Sequence, residues 1–332
     1  MALLEFDDVG ITYRAAEGDV PAVRGVSLSV DAGETVGIAG ESGCGKTTLT
    51  SSVLRLLPRS AKVTGHVRLD DEDVMGMSFG RLRAVRWGKA ALVFQGAMHA
   101  LNPVQRIDRQ LAEPILIHER IDEKQAYQRV AELLEQVGLP QSRARAYPHQ
   151  LSGGQKQRIM IAMALACRPK LLIADEPTTA LDVMVQAQIL ELLASLVRDL
   201  GLGVVFISHD LSVLSSTCDR IAVMYAGRIV EEGPAAQVFD DSLHPYARAL
   251  AGAFPRIGDR TFRYAPAGLP GDPPFPSDIP PGCSFHPRCP MAIDRCSTEE
   301  PQLVPFAGGG PGARLVSCHR PGEAETADVV AS

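Results

Sequence analysis

An α/β fold with a mainly parallel sheet is predicted by three observations. Thr35–Ala39 (TVGIA) is a short apolar run that enters a glycine-rich turn, Gly40–Thr47 (GESGCGKT), and continues into a helical stretch. From Lys170 to Tyr225, strand-like and helix-like segments alternate, which calls for a sheet covered on both faces. Between these blocks, Arg106 to Ala146 changes character and reads as helical, like a subdomain inserted into an α/β core.

Each element has a local reason. Ala22–Val30 (AVRGVSLSV) alternates apolar with small or polar residues, as a half-buried strand does. Lys46–Leu57 reads as a helix stopped by Pro58, and Ala90–Gln95 as a short buried strand. Within the helical block, Asp122 with Gln125 has the form of a capping box. Ala126, Val130, Leu133, Leu134 and Val137 then recur at helical spacing, and Gly138 supplies the stop. A helix over Gly154–Cys167, strand Lys170–Asp175, helix Val183–Leu200, and strands Gly203–Ser208 and Arg220–Tyr225 complete the core.

The 332 residues are enough for one large domain with an appendage, or for two domains. A hydrophobic content of 45% with 22% charged residues is ordinary for a soluble globular protein. The net charge of -6 argues against general nucleic-acid binding, which needs clustered Lys and Arg. Apolar stretches such as Ile159–Cys167 fall short of the roughly 20 residues that span a bilayer. Met1–Asp8 lacks the pattern of a signal peptide. The chain is therefore expected in the cytosol, with any membrane role supplied by a partner. Pro255 to Pro281 contains eight prolines and reads as an extended connector. Pro321–Ser332 is a polar, alanine-rich tail expected to be disordered.

Three segments carry chemistry. In Gly40–Thr47, Gly40, Gly43 and Gly45 let backbone N–H groups turn inward toward phosphates, and the following helix dipole adds to that field. Lys46 would reach the β- and γ-phosphates and the Thr47 hydroxyl would hold Mg²⁺. The plain alternative is a glycine turn beside an exposed lysine. Asp175 ends an apolar strand, where it can bind Mg²⁺, and Glu176 stands one residue further out as a general base for water. Two acids capping a strand end is the bland reading of that pair. Third, Ser152, Gly153 and Gly154 of Leu151–Gln155 (LSGGQ) open a helix whose free N–H groups form an anion site. A glycine loop with a capping serine would suffice for one helix start. Because the chain already has a phosphate site at Lys46, the second site points to a phosphate held by another subunit.

Together these residues resemble the ATP-binding subunits of ABC transporters over roughly residues 3 to 253. Gly40–Thr47 is similar to Walker A, Leu171–Asp175 to Walker B, Leu151–Gln155 to the signature, Gln95 to the Q-loop glutamine, Ala180–Asp182 to the D-loop, and His209 to the switch histidine. Tyr13 resembles the aromatic residue that stacks on adenine. The resemblance implies a RecA-like P-loop core with an antiparallel β-subdomain and a helical subdomain at about 96–165. It implies ATP bound by Tyr13, Gly40, Ser42, Gly43, Cys44, Gly45, Lys46, Thr47, Thr48, Gln95 and Asp175, with Ser152, Gly153, Gly154, Gln155 and Asp182 serving a sister subunit. Mg²⁺ would be held by Thr47, Gln95 and Asp175, and catalysis would rest on Glu176, His209 and Gln95. Two subunits would meet head to tail, closing on ATP and reopening after hydrolysis. Cys44 reads as a small residue tolerated inside the loop.

The run Asp175–Ile189, the LNP at Leu101–Pro103 and the HPY at His244–Tyr246 resemble the dipeptide and oligopeptide importers of that family. So does the segment after residue 253, with GCSFHPRCP at Gly282–Pro290, Cys296 and the pair Cys318–His319. One departure is Gly96–Ala97, where many relatives carry Asp-Pro. The resemblance implies a second, related ATPase, two transmembrane permease subunits and an extracytoplasmic substrate-binding protein, at the cytoplasmic face of the membrane. Nickel complexes and other solutes remain alternative cargoes. Of seven cysteines, Cys283, Cys289, Cys296 and Cys318 crowd near the end with spacing C-x5-C-x6-C-x21-C. Zinc ribbons use C-x2-C pairs, absent here, whereas wider proline-bounded spacing suits a cuboidal cluster. The resemblance implies a loop-rich extension over 254–320 with a [4Fe-4S] cluster. Zinc with His286 or His319, and unligated thiols, are the other readings. A soluble ABC protein of DNA repair or translation would carry two cassettes or a coiled-coil insertion. A free-standing phosphate-loop kinase leaves Leu151–Gln155 unexplained.

Overall fold

The computed structural model describes residues 2–15, 18–94, 96, 100–179, 181–253, 269, 271–308 and 312–323. Two sheets share one core. The first is antiparallel, with order β2-β1-β4-β5. It is built on a long ribbon of β1 (Ala2–Ala15) and β2 (Gly18–Asp31), followed by β4 (Ala61–Leu69) and the two-residue β5 (Glu72–Asp73). The second has the order β11-β12-β10-β9-β3-β8-β7-β6. Its parallel part comprises β3 (Thr35–Ala39), β6 (Ala90–Val93), β7 (Leu171–Asp175), β8 (Gly203–Ser208) and β9 (Arg220–Tyr225). All residues of β3, β7 and β8 are buried, as a sheet covered on both faces requires.

The single helix α1 (Lys46–Val53) lies between the two sheets. Its Leu49 and Val53 pack with Phe6, Ile11, Ile38 and Ile207. The opposite face of the large sheet carries α3 (Ile107–His118), α4 (Glu123–Gln136), α5 (Gly153–Ala164), α6 (Val183–Leu200) and α7 (Leu211–Thr217) around a second apolar cluster. The small α2 (Phe79–Val85) leans on the first cluster through Leu82 and Val85. The capping box at α4 forms in both directions. Gln125 N–H donates to Asp122 Oδ1 at 2.8 Å and Asp122 N–H donates to Gln125 Oε1 at 3.0 Å. Ala126, Val130, Leu133 and Leu134 are buried as their spacing predicts.

Several boundaries differ from the sequence reading: β2 is longer than Ala22–Val30 at both ends, and β7 begins at Leu171 and not at Lys170. Helix α1 ends at Val53, four residues early: the Thr50 and Ser52 hydroxyls bond back to Lys46 and Leu49 carbonyls, and Arg55 is left-handed with φ 47. Helix α5 begins at Gly153 and ends at Ala164, short of Cys167: the chain tightens there into turns with Ala166 N–H bonded to the Met163 carbonyl and Arg168 N–H to the Leu165 carbonyl. The strand begun at Ala90 ends at Val93, and Gln95 lies outside the described residues. The stretch between α4 and α5 is not continuous helix but two 3-10 turns, Gln141–Arg145 and Pro148–Gln150.

Beyond β9 the chain folds back as β10 (Arg228–Pro234), then α8 (Ala235–Asp240) and α9 (Pro245–Gly252). The C-terminal segment returns to this edge. β12 (Leu315–Val316) pairs with β10, and β11 (Val304–Pro305) pairs with β12. Residues 254–268 and 270 of the expected connector, and 324–332 of the expected tail, lie outside the described residues.

Candidate nucleotide-binding site

The turn between β3 and α1 is held where phosphates would sit. Gly40 has φ 152, and a Cβ there would lie 2.3 Å from the Met224 carbonyl oxygen of β9, so the close approach needs glycine. Lys46 is buried, its Nζ donating to the Gly40 carbonyl at 2.6 Å and the Glu41 carbonyl at 2.9 Å. Those bonds keep the ammonium inside the loop, ready to exchange two carbonyls for phosphate oxygens. The Tyr13 hydroxyl donates to Thr48 Oγ1 at 3.2 Å, which places the tyrosine at the start of α1. Cys44 is buried with its Sγ 3.8 Å from Lys46 Nζ, and burial pushes its thiol up.

The acidic end of β7 faces this loop. Burial raises the Asp175 carboxyl above the usual range and Glu176 adds to that, while Thr47, in hydrogen-bond contact, and Lys46 oppose it. Asp175 Oδ1 is buried without a hydrogen-bond partner. An orphaned carboxylate oxygen beside a threonine hydroxyl is the hard-oxygen donor set that Mg²⁺ takes, so these two residues fit the ion. Glu176 sits in a left-handed conformation, φ 44, with its N–H donating to the Ile207 carbonyl of β8 at 3.0 Å. Its Oε2 accepts from Thr179 Oγ1 at 3.0 Å, and its Oε1 is 3.3 Å from His209 Nδ1. The structure thus brings Lys46, Thr47, Asp175, Glu176 and His209 to one end of the parallel strands. Gln95, expected here, and Ala180, expected in the D-loop, lie outside the described residues.

Leu151–Gln155 is built as a helix start but stands elsewhere. Ser152 caps α5 in a reciprocal box, with Gln155 N–H donating to Ser152 Oγ at 3.3 Å and Ser152 N–H to Gln155 Oε1 at 3.2 Å. The N–H groups of Gly153 and Gly154 occupy the first helical turn, where no intrahelical acceptor exists. Gly154 is required by packing: a Cβ would come within 2.6 Å of Val185 Cγ1 on α6. Asp182 caps α6, its Oδ1 accepting from Val185 N–H at 3.0 Å, so the two expected partner-facing segments adjoin. α5 packs beside β6, three strand spacings from β3, or about 14 Å across the sheet. The structure therefore does not bring Ser152–Gln155 onto the Lys46 loop of the same chain.

Several functional contacts were not anticipated from sequence. Glu41 N–H donates to the Tyr246 hydroxyl at 2.9 Å, and Arg288 forms a two-pronged ion pair with the Glu41 carboxylate at 2.7 and 3.0 Å. His244 is fully buried, caps α9 by accepting from Tyr246 N–H at 3.0 Å, and is pushed down to about 3 by burial, so it is neutral. The buried Glu231 accepts from Leu243 and His244 N–H groups and from Arg314 of the extension. The HPY triplet was the sequence signal for this corner, but only as a mark of kinship.

Cys283, Cys289, Cys296 and Cys318 all line one cavity of about 10 Å³, together with Phe285, His286 and His319. Burial pushes the Cys283 thiol up to about 11, and the neighbouring thiols add to the shift. Among the described residues, however, no three His, Cys, Asp or Glu side chains are grouped to hold a metal ion. The space admits about one water and not a cuboidal cluster without outward movement of its walls. The expected [4Fe-4S] or zinc centre is thus not supported by the arrangement of the thiols. No helix among the described residues is long and apolar enough to cross a membrane.

Comparison with known proteins agrees with this geometry. Residues 23–179 match the ABC transporter family, and 230–296 match the C-terminal region of oligopeptide/dipeptide transporters. An oligopeptide transport ATP-binding protein of Salmonella typhimurium is 41% identical over 323 residues, covering 97% of this chain and 94% of the relative. A putative peptide import ATP-binding protein of Brucella abortus is 44% identical, covering 92% of each. A solved dimeric bacterial ABC transporter cassette superimposes with a TM-score of 0.63 at 31% identity, over 70% of this chain and 98% of the cassette.

Proposed function

The chain belongs to the ABC transporter family of ATP-binding subunits, and on that premise we propose that it powers the import of oligopeptides or dipeptides. It does so from the cytoplasmic face of a membrane, attached to two permease subunits that receive cargo from an extracytoplasmic binding protein. Its ATPase partner is a second, related chain. The observation that carries this reading is the convergence of Lys46, Thr47, the orphaned Asp175 Oδ1, Glu176 and His209 on one end of the sheet. The peptide branch is supported by the match over 230–296 and by relatives named for peptide transport.

In the mechanism, Lys46 leaves the Gly40 and Glu41 carbonyls for the phosphates, while the glycine turn supplies N–H donors. Thr47 and Asp175 would hold Mg²⁺, which would supply charge neutralisation to the phosphates. Glu176 orients and deprotonates the attacking water, and His209, bonded to its carboxylate, fixes the direction of that base. Residues Ser152–Gln155 and Asp182 clasp the nucleotide held by the sister subunit, and that subunit's equivalents close this one.

Glu176→Gln tests the catalytic assignment: ATP binding is retained and turnover falls by about 10²–10⁴-fold. Normal hydrolysis by that variant refutes the assignment. Co-purification with a multi-span membrane protein and ATP-dependent peptide uptake by the complex test the transport role. Nickel uptake in place of peptide uptake reassigns the cargo. For the four cysteines, iron–sulfur ligation would require the walls of their cavity to move outward. Anaerobic purification of a brown protein supports it, and a colourless protein with stoichiometric zinc rejects it.

A further inference from the structure

Two of the three polar groups of Glu41, the second residue of the phosphate loop, are held from outside the loop. Its N–H is bonded to Tyr246 Oη, its carbonyl accepts from Lys46 Nζ, and its carboxylate is gripped by Arg288. Once Lys46 moves onto phosphate, Glu41 keeps the Cys44 N–H within the loop at 3.4 Å, and Tyr246 and Arg288 hold it from outside. Arg288 is well placed to hold it. Its side chain is only 7% exposed, lies 5.9 Å over the Tyr225 ring and 6.0 Å over the Phe285 ring, and donates to the Tyr225 hydroxyl at 3.4 Å. It also donates to the Gly271 carbonyl at 3.0 Å. That tie leads the chain to Pro273–Pro276, which border a cavity of about 210 Å³ with Ser42, Gly43 and Cys44.

The turn presenting Arg288 is shaped by two of the four late cysteines. His286 N–H donates to the Cys283 carbonyl at 2.9 Å, and Cys289 N–H donates to the His286 carbonyl at 3.2 Å. Cys283 N–H is in turn bonded to the Cys296 carbonyl at 2.8 Å. The Cys289 backbone is thus tied into the turn that carries Arg288, so a change in the cavity that shifts this turn also shifts Arg288. A charge-assisted fork at a buried position tolerates little displacement, since both N–H groups must stay aligned with both carboxylate oxygens.

We propose that Arg288 is a positioning residue for the phosphate loop, and that through it the packing of the cysteine cavity sets the affinity for nucleotide. The inference rests on Gly40–Thr47 being the ATP site. It goes further in making the C-terminal segment part of that site's support. The coupling is a binding free energy, so it acts in both directions: what loosens the cysteine element weakens ATP binding, and ATP tightens the element.

The experiment uses the full chain and equilibrium titration with a fluorescent ATP analogue in the presence of Mg²⁺. Arg288→Gln raises the dissociation constant by roughly tenfold, Arg288→Lys by less, and Cys289→Ser by a similar factor to Arg288→Gln. In the double variant the two losses do not add, because the second change acts through a contact already removed. Arg295→Gln, which breaks an exposed ion pair with Glu299 on the same segment, leaves affinity unchanged and controls for general loosening. Hydrogen exchange supplies a readout that a purely structural role would not move. Saturating nucleotide slows exchange at the Cys289 amide in the unmodified chain and not in Arg288→Gln. Unaltered affinity in Arg288→Gln overturns the proposal, and so do fully additive losses in the double variant. Failure of the unmodified chain to bind nucleotide would instead remove the ATP-site reading itself.

Discussion

Replacing Phe285 by alanine should undock the C-terminal segment while leaving the cassette folded. The ring is 1% exposed and fills a corner made by three other aromatic side chains. It meets Tyr225 edge-on at 5.3 Å and 85°, Tyr246 at 5.4 Å and 60°, and the neutral His244 at 5.9 Å. Tyr225 and Tyr246 belong to β9 and α9, so the truncation empties a contact between the extension and the core and not one within the core. A buried Phe→Ala change costs about 3–5 kcal/mol. At about 1.4 kcal/mol per tenfold, the docking equilibrium shifts by about two to three and a half orders of magnitude.

Hydrogen exchange read by mass spectrometry measures that shift directly. The Gly322 amide, bonded to the Leu243 carbonyl at 2.9 Å, and the Ser317 amide, bonded to the Val230 carbonyl at 2.9 Å, report undocking. Both should lose protection by the stated factor, limited only by their protection in the unaltered chain. Amides inside α4, whose apolar face packs within the helical subdomain, should not change. Phe275→Ala is the matched control, because that ring is 78% exposed and its removal should leave every amide as before. Unchanged protection at both reporting amides in Phe285→Ala would refute the claim that this ring anchors the extension.

Two further outcomes follow from the geometry. Gly154→Ala drives a methyl group to 2.6 Å from Val185 Cγ1 and forces α5 away from α6, costing about 1–3 kcal/mol. It should abolish ATP hydrolysis while leaving nucleotide titration at Lys46 unchanged, and a parallel loss of binding would contradict the separation of the two phosphate sites. Burial pushes the Cys218 thiol up to about 12 from an ordinary 9.0. The raised value keeps it protonated at neutral pH, so alkylation, which needs the thiolate, should climb about tenfold per pH unit from pH 8 to 11. A plateau near pH 9, read residue by residue in peptides, would show an ordinary thiol.

The motif segments were legible in the sequence because their chemistry is local. A glycine turn between an apolar run and a helix, a serine three residues before a glutamine, and acids at a strand end each state their structure within a few positions. The bounds of β3, α6, β8 and β9 were readable for the same reason. The ribbon β1–β2 was only half visible: its residues alternate, but β1 shows its role through pairing with β4, some sixty positions away. The outer site contacts were hidden for a stronger reason. Tyr246 lies 205 positions from Glu41, and Arg288 lies 247 positions from it. No local pattern specifies that the arginine between Pro287 and Cys289 should meet a glutamate in the phosphate loop.

If two subunits meet over the face that carries Ser152–Gln155, as proposed, that face gives a nucleotide a part in bringing them together. Val183 and Met184 open α6 beside Asp182 and Gly154, and both are 72% exposed. Covering them on a partner would contribute about 1.5–3 kcal/mol each. Association costs about 4–15 kcal/mol in lost freedom, so these two side chains alone leave the pair marginal or dissociated. The free N–H groups at the start of α5 contribute nothing until an anion reaches them. On the proposed reading, ATP held by Lys46 of one subunit would supply that anion to the other, adding charge-assisted bonds to the modest apolar contact. Loss of the terminal phosphate after hydrolysis would remove those bonds and return the balance to the separated state.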